Sequence, residues 1–323
     1  MRSRSVSALI ATGALALGVA GAAFAGAGTS SAASQQGHKF RPYYISLGDS
    51  YSVGYQNPVL GNTSGFTGYV ARKQKLQLEN FGCGGATTTS LLTQLGCAPG
   101  ASAATDAVPY PTTNQVDAAV GFIAAHPGQV SLVTISISGN DVTHCATVVD
   151  TVGCVLAATT TIQSNVATAV STLDAALTAN GDTAAHIVGI TYPDVILGDY
   201  VAPIGSTNAK LAALSVLAFD AFINPALNTA YTSVTRGAFV NVTSAPYKLA
   251  TAGDGTGTFD TSTGAYTGPT TKLPGFGKSV PVAVAEVCTL TWYCDSTYFG
   301  DIHANTKGYN FIGGLIVAKL ATL

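Results

Sequence analysis

Short apolar runs alternating with longer stretches of helical periodicity constrain this chain more than any other feature. They are Tyr43-Tyr44-Ile45-Ser46-Leu47, Leu76 to Phe81, Val130 to Ile137, His186 to Tyr192 (stopped by Pro193) and Ala238 to Val242. Strands buried on both faces read as near-continuous apolar runs, and alternation of such runs with helices builds a parallel sheet with helical cover. Helices are expected over Gln115 to His126, Val155 to Ala179 and Asn208 to Arg236. The last should break at Asn224-Pro225, where proline removes a backbone donor. A closing helix should start at Asn305, an N-cap residue type, with Tyr309, Ile312, Ile316 and Leu320 along one face. The expected fold is α/β: a three-layer α/β/α sandwich around a central, mostly parallel five-stranded sheet.

Ahead of the first strand, Arg2 and Arg4 precede an uncharged Ala/Gly/Leu-rich run from Ala8 to Ala27 with small-x-small options such as Ala23-Phe24-Ala25. This reads as a secretory signal peptide over 1–33, cleaved near 25–33, and leaves one domain over 40–323. The cleavage region has no cysteine for a lipid anchor. Later segments lack about 18 unbroken apolar residues, so no stable membrane span is expected after cleavage. One stretch breaks the strand–helix rhythm: Ser244 to Ser279 is dense in Gly, Thr, Pro and Asp and reads as a long surface excursion, either a substrate-binding wall or lid or an ornamental insertion.

Charge excludes one class of partner. Only 9% of residues are charged, for a net −2, so the chain lacks the basic stripe that nucleic-acid binding needs. The six cysteines, an even number in an exported chain, argue for disulfides rather than a metal cage. They fall into local couples, Cys83 with Cys97, Cys145 with Cys154 and Cys288 with Cys294, and nearest-neighbour pairing is the simplest connectivity. Loops this short contribute about 2–3 kcal/mol each in the chain-entropy picture. No Cys-x2-Cys pair exists and the five histidines are scattered, so no metal is expected.

Four short blocks carry candidate chemistry: Gly48-Asp49-Ser50-Tyr51-Ser52, Gly84-Gly85-Ala86, Gly139-Asn140-Asp141 and Asp301-Ile302-His303. Alone, each is ordinary: a turn serine, a tight glycine turn, a strand-end turn, a surface histidine. In order, with the first three each just after an expected strand, they supply a hydroxyl nucleophile, a backbone donor, an amide donor and an imidazole base, as ester cleavage requires. The carboxyl edge of such a sheet is where ligands collect. His144 reads as a loop histidine or pocket residue, Asp49 as structural support for the serine turn, and Trp292 as pocket wall or core.

In these blocks the chain resembles the GDSL, or SGNH, hydrolase family, of flavodoxin-like fold, and the likeness runs from Ile45 to the end. The resemblance implies Ser50 as nucleophile in Ser46-Leu47-Gly48-Asp49-Ser50-Tyr51-Ser52, and Gly85 as oxyanion-hole glycine in Asn80-Phe81-Gly82-Cys83-Gly84-Gly85-Ala86. It further implies Asn140 as side-chain oxyanion donor in Ser138-Gly139-Asn140-Asp141, and His303 as base, with the Ser50 N–H completing the oxyanion hole. No Gly-x-Ser-x-Gly elbow occurs, which separates the chain from the lipase fold built on that turn. Two departures stand out. Ser138 occupies the asparagine block's usual glycine, and Gly300 stands where the family places an acid three residues before the histidine. Similarity to secreted actinobacterial esterases of the family then implies that a backbone carbonyl near Phe299 or Gly300 accepts from the His303 Nδ1–H, with Asp301 or an acid elsewhere in the chain as the alternatives.

The implied activity is that of a secreted, extracellular serine carboxylic-ester hydrolase, a lipase or esterase working through an acyl-serine intermediate without cofactor. Phospholipase A or lysophospholipase activity and carbohydrate deacetylation are the alternatives on the same scaffold, and a non-catalytic binding module the reading from another class. The expected partner is an acyl ester, lipid or small, taken by a monomer.

Overall fold

The computed structural model describes residues 41–103, 105–201, 205–243, 257–277 and 279–323, with side chains from 209 onward in the third segment. The expected signal peptide, and residues 244–256 of the expected excursion, lie outside the described residues. In chain order the elements are β1 (Tyr43–Gly48), α1 (Gly65–Gln74), β2 (Gln77–Asn80), α2 (Thr88–Thr93), α3 (Gln115–Ala125), β3 (Val130–Ser136), α4 (Gly139–Val142), α5 (Thr151–Ala179) and β4 (His186–Ile190). They continue with α6 (Gly205–Ala218), α7 (Asn224–Tyr231), β5 (Gly237–Val240), the short strands β6 (Thr258–Phe259), β7 (Tyr266–Thr267), β8 (Thr270–Lys272) and β9 (Ser279–Pro281), then α8 (Val282–Leu290) and α9 (Thr306–Leu320).

The five long strands form one sheet in the order β2-β1-β3-β4-β5, every neighbouring pair parallel. Alternate side chains supply two cores. Tyr44, Leu132 and Val188 meet Phe66 of α1, Val284 of α8 and Ile312 of α9 on one face. Ile45, Leu47, Val133 and Ile135 meet Ile123 of α3, Val166 of α5 and Leu227 of α7 on the other. A fully buried aliphatic side chain contributes about 1.5–3 kcal/mol, so these two layers carry the sheet. The fold is thus an α/β three-layer sandwich, and its order is that of the flavodoxin-like doubly wound sheets, with the switch point between β1 and β3.

The long helix over the sheet end behaves differently from its sequence. The expected break at Asn224-Pro225 does not occur. Instead Phe219–Ile223 widens into a π-helical turn, in which the Asn224 N–H donates to the Phe219 carbonyl, and Pro225 sits in the first turn of α7. The extra residue per turn supplies the room and the register shift that the donor-less proline ring requires, so the chain stays helical. By length and composition Ala209–Tyr231 is long and apolar enough to cross a membrane. Here its Ala212, Ala213, Leu227 and Tyr231 are fully buried in the protein. In the described part of the excursion, β6 pairs with β7 and β8 with β9, both antiparallel.

Candidate active site

Ser50 stands two residues past β1, next to the switch point. The turn that presents it needs glycine at 48. Its φ is +136°, and a Cβ there would lie 2.0 Å from the Ser136 carbonyl oxygen of β3. A buried amide fixes the same turn: Gln115 accepts from the Gly48 N–H at 2.9 Å and donates to the Gly48 carbonyl at 3.0 Å. Asp49 points inward. Its Oδ2 accepts from the Tyr192 hydroxyl at 2.6 Å and its Oδ1 from the Tyr51 N–H at 3.0 Å. Burial outweighs those two bonds and pushes the Asp49 carboxyl up to about 7.

His303 reaches the edge just before α9, whose N-cap Asn305 accepts from the Lys307 and Gly308 N–H groups. Its Nε2 lies 2.9 Å from Ser50 Oγ, and its Nδ1 2.6 Å from Asp301 Oδ1. The expected backbone carbonyl partner is corrected here. The Asp301 carboxylate takes the Nδ1 position, because the same Oδ1 also accepts from the His303 N–H at 3.0 Å and so bends back over its own loop. A carboxylate two residues before the ring can therefore serve where a three-residue spacing is usual. Desolvation lowers the His303 pKa below 6.5, with Asp301 opposing the shift only in part. A neutral ring with its proton on Nδ1 is then free to accept the Ser50 proton at Nε2.

This loop is gripped from several sides. Tyr51 donates from its hydroxyl to the Ile302 carbonyl at 2.7 Å, and the Trp292 N–H donates to the His303 carbonyl at 2.9 Å. Trp292 is half-buried behind the loop, its ring edge-on to Tyr298. Tyr55 stands edge-on to the imidazole, with ring centres 4.6 Å apart.

Gly85 has φ +81°, a conformation that glycine adopts freely. Asn140 lies in α4, and its Nδ2 donates to the Ala86 carbonyl at 2.9 Å, so the two blocks are joined. Asp141 reinforces the joint by accepting from the Thr88 N–H at 2.9 Å and from the Thr88 hydroxyl at 2.7 Å. Ser138, in the position where the family usually has glycine, is held at φ +114°. Among the described residues, the Ser50 and Gly85 N–H groups meet no protein acceptor.

Three disulfides join Cys83 to Cys97, Cys145 to Cys154 and Cys288 to Cys294. The last closes the loop whose Thr291 pairs with Ala304, next to His303. His144 is exposed, with Nε2 3.4 Å from Cys154 Sγ. His144, Cys145 and Cys154 bring three ligand-type atoms within 4.8 Å of one another, but both sulfurs are bonded to each other and offer no thiolate.

Beside Ser50 opens an apolar pocket with a volume of about 100 Å³. Val142 and Val155 line it on one side, and Leu211, Leu214 and Phe219 of the π-widened helix on the other. Sequence reasoning missed this wall, and it missed Gln115, Tyr51, Tyr192 and the Asp141–Thr88 clamp. Of these, Asp141 carried a signal, an acid directly after the donor asparagine. The others are ordinary residues that only the fold brings close.

Residues 46–218 match the GDSL-like Lipase/Acylhydrolase family. The chain belongs to that family, and it is a carboxylic-ester hydrolase. Among solved structures it is similar to the extracellular lipase of Streptomyces rimosus, with 20% identity over 62% of this chain and 80% of that one and a TM-score of 0.37. It is also similar to the lipase Lip_vut3 from a goat rumen metagenome, with 15% identity over 86% and 96% and a TM-score of 0.45. Phospholipase A1 from Streptomyces albidoflavus gives 18% identity over 61% and 78%, with a TM-score of 0.36. No curated protein sequence matches the chain.

Proposed function

We propose that this protein is an exported acyl-ester hydrolase of the lipase or esterase type, with the domain at 40–323 following a cleaved signal segment. Ser50 is the nucleophile, His303 the general base and Asp301 the group that orients the ring. The Ser50 and Gly85 N–H groups and the Asn140 amide receive the oxyanion. The observation that carries the reading is the Ser50–His303–Asp301 chain of contacts, at 2.9 and 2.6 Å, beside an apolar pocket.

In the reaction, Ser50 Oγ attacks the ester carbonyl as Nε2 takes its proton. His303 then returns that proton to the leaving alcohol, and water repeats the sequence to free the acid. The Asn140 amide keeps a second N–H beyond the one given to Ala86, and that donor is available to the oxyanion. The apolar lining favours a hydrocarbon acyl group over the acetyl group of a sugar, whose ring hydroxyls would find few partners there. Three disulfides favour an oxidising, extracellular setting.

A fluorophosphonate probe, with a panel of acetyl, octanoyl and palmitoyl esters, phospholipids and acetylated sugars, tests this reading. Labelling of wild type and not of Ser50→Ala, with turnover of acyl esters, is expected. Equal labelling of both, or turnover of acetylated sugars alone, would overturn it.

A further inference from the structure

Among the described residues, most of the large apolar side chains left in water lie on the segments that carry the candidate active-site residues. Nine such side chains are exposed among the described residues, and seven of them lie on the segments that carry Ser50, Asn140 and His303. Val59 and Leu60 follow the nucleophile, Val148, Val149, Val152 and Leu156 follow Asn140, and Phe299 precedes Asp301. Single exposed aliphatics need no explanation, but a group of them interleaved with pocket-lining residues does.

The densest group is at 148–156. Val152 and Leu156, at i and i+4, share one side of the α5 start with exposures of 37% and 45%, and Val149, two residues ahead of the helix, is fully in solvent at 107%. Thr151 and Val155, interleaved with them, line the pocket beside Ser50. One helical start therefore offers apolar side chains to the pocket and to the solvent. The segment is also braced: the Cys145–Cys154 disulfide spans it, Asp150 accepts from the Gly153 N–H at 2.9 Å, and the Thr151 hydroxyl donates to the Val148 carbonyl at 3.1 Å. Bracing keeps these side chains on display.

Charge narrows what such a face can meet. The sequence has no Lys or Arg between Lys75 and Lys210. The nearby acids are engaged within the protein, Asp141 with Thr88 and Asp150 with the α5 N-terminus. The 148–156 segment itself has apolar contact to give and carries no Lys or Arg with which to hold an anionic surface.

We propose that the 148–156 face docks the enzyme on an uncharged or zwitterionic lipid surface, so that an acyl chain passes from that surface into the adjoining pocket without crossing water. The docking rests on the reading of the pocket as an acyl site. Its partner is an aggregated neutral ester or a phosphatidylcholine bilayer, held by burial of aliphatic side chains and not by counter-charge.

The test is co-sedimentation of full-length Ser50→Ala with phosphatidylcholine vesicles, with and without phosphatidylglycerol, beside the same protein carrying V149D and L156D. The expected result is binding that salt does not weaken and phosphatidylglycerol does not strengthen. The two aspartates should weaken it by about tenfold or more. With Ser50 intact, V149D/L156D should hydrolyse a soluble acetyl ester as wild type does. Should that double variant lose soluble turnover, V149S, at a position whose side chain is fully in solvent, decides in its place. Equal binding by the variants, absent binding, or binding only with phosphatidylglycerol would overturn the proposal. So would a lipid-free dimer that the aspartates dissolve, since a second copy would then own the face. Failure of wild type to hydrolyse the soluble ester would instead sink the ester-hydrolase reading, which the vesicle measurement does not touch.

Discussion

Asp301 does two things with one oxygen, accepting both the backbone N–H and the Nδ1 of His303. Replacing it with asparagine removes the charge and allows the wrong imidazole tautomer, which in serine triads lowers kcat by about 10⁴. We expect a loss on that order for Asp301→Asn in steady-state ester hydrolysis, with the urea midpoint little changed. Retention of most activity would return the role to a backbone carbonyl. Because burial lowers the His303 pKa, the acidic limb of kcat/KM should fall below pH 6.5 in wild type. It should move lower still in Asp301→Asn, where the one opposing influence is gone. At Ser138 the φ of +114° puts a Cβ-bearing residue in glycine's territory. Ser138→Gly should therefore raise stability by about 1 kcal/mol in urea unfolding, and a loss would mean that the hydroxyl matters more than the strain. The sequence made Ser50, Gly85, Asn140 and His303 visible because each lies in a short block of restricted chemistry. It hid the partner of His303, since whether a carboxylate two residues away can fold back onto the ring depends on loop conformation. It hid Tyr51 for a similar reason, as its hydroxyl bond to Ile302 spans most of the chain.

The β-strands were legible where the helices were only partly so. Parallel strands with both faces covered must be apolar throughout, so β1, β3, β4 and β5 appear as apolar runs, whereas the edge strand β2 is the polar Gln77-Leu78-Glu79-Asn80. α8, by contrast, is spelled Val282-Ala283-Val284-Ala285-Glu286-Val287, a β-branched pattern that local propensity assigns to a strand. α1 has no side-chain cap and two glycines within it, so its packing on α9 sustains it more than its own sequence does. The π-helical turn before Pro225 matters most for function, because Leu214 and Phe219 face the pocket from that helix. Leu214→Trp should fill the pocket and lower kcat/KM for octanoyl esters on the order of tenfold relative to acetyl esters. An equal loss on both would mean that this helix does not bound the acyl site.

Across the whole molecule, two buried carboxyls set a pH dependence of stability. Asp49 and Asp194 are both buried, and burial pushes each up to about 7 from an ordinary 3.8. Asp194 accepts from the Ser215 hydroxyl at 2.9 Å through Oδ2, while its Oδ1 is buried without a partner. Asp220 adds repulsion and disfavours the charged form further. A carboxyl raised in this way binds more protons folded than unfolded, so its contribution is fully present in acid. That contribution is lost as the pH rises from about 4 through about 7. Above that window the folded protein must hold a buried, half-satisfied charge. Asp194→Asn keeps an acceptor for Ser215 but cannot ionise. It should raise stability by about 2–3 kcal/mol more at pH 8 than at pH 5, measured as the difference between variant and wild type in urea. His303 titrates in the same range, but it does so in both proteins and cancels from the difference. Asp49 cancels likewise, and it keeps two donors that Asp194 lacks. A difference that stays flat between pH 5 and pH 8 would mean that Asp194 is not protonated in the folded protein near neutrality, and that its buried oxygen is satisfied by a group such as an internal water.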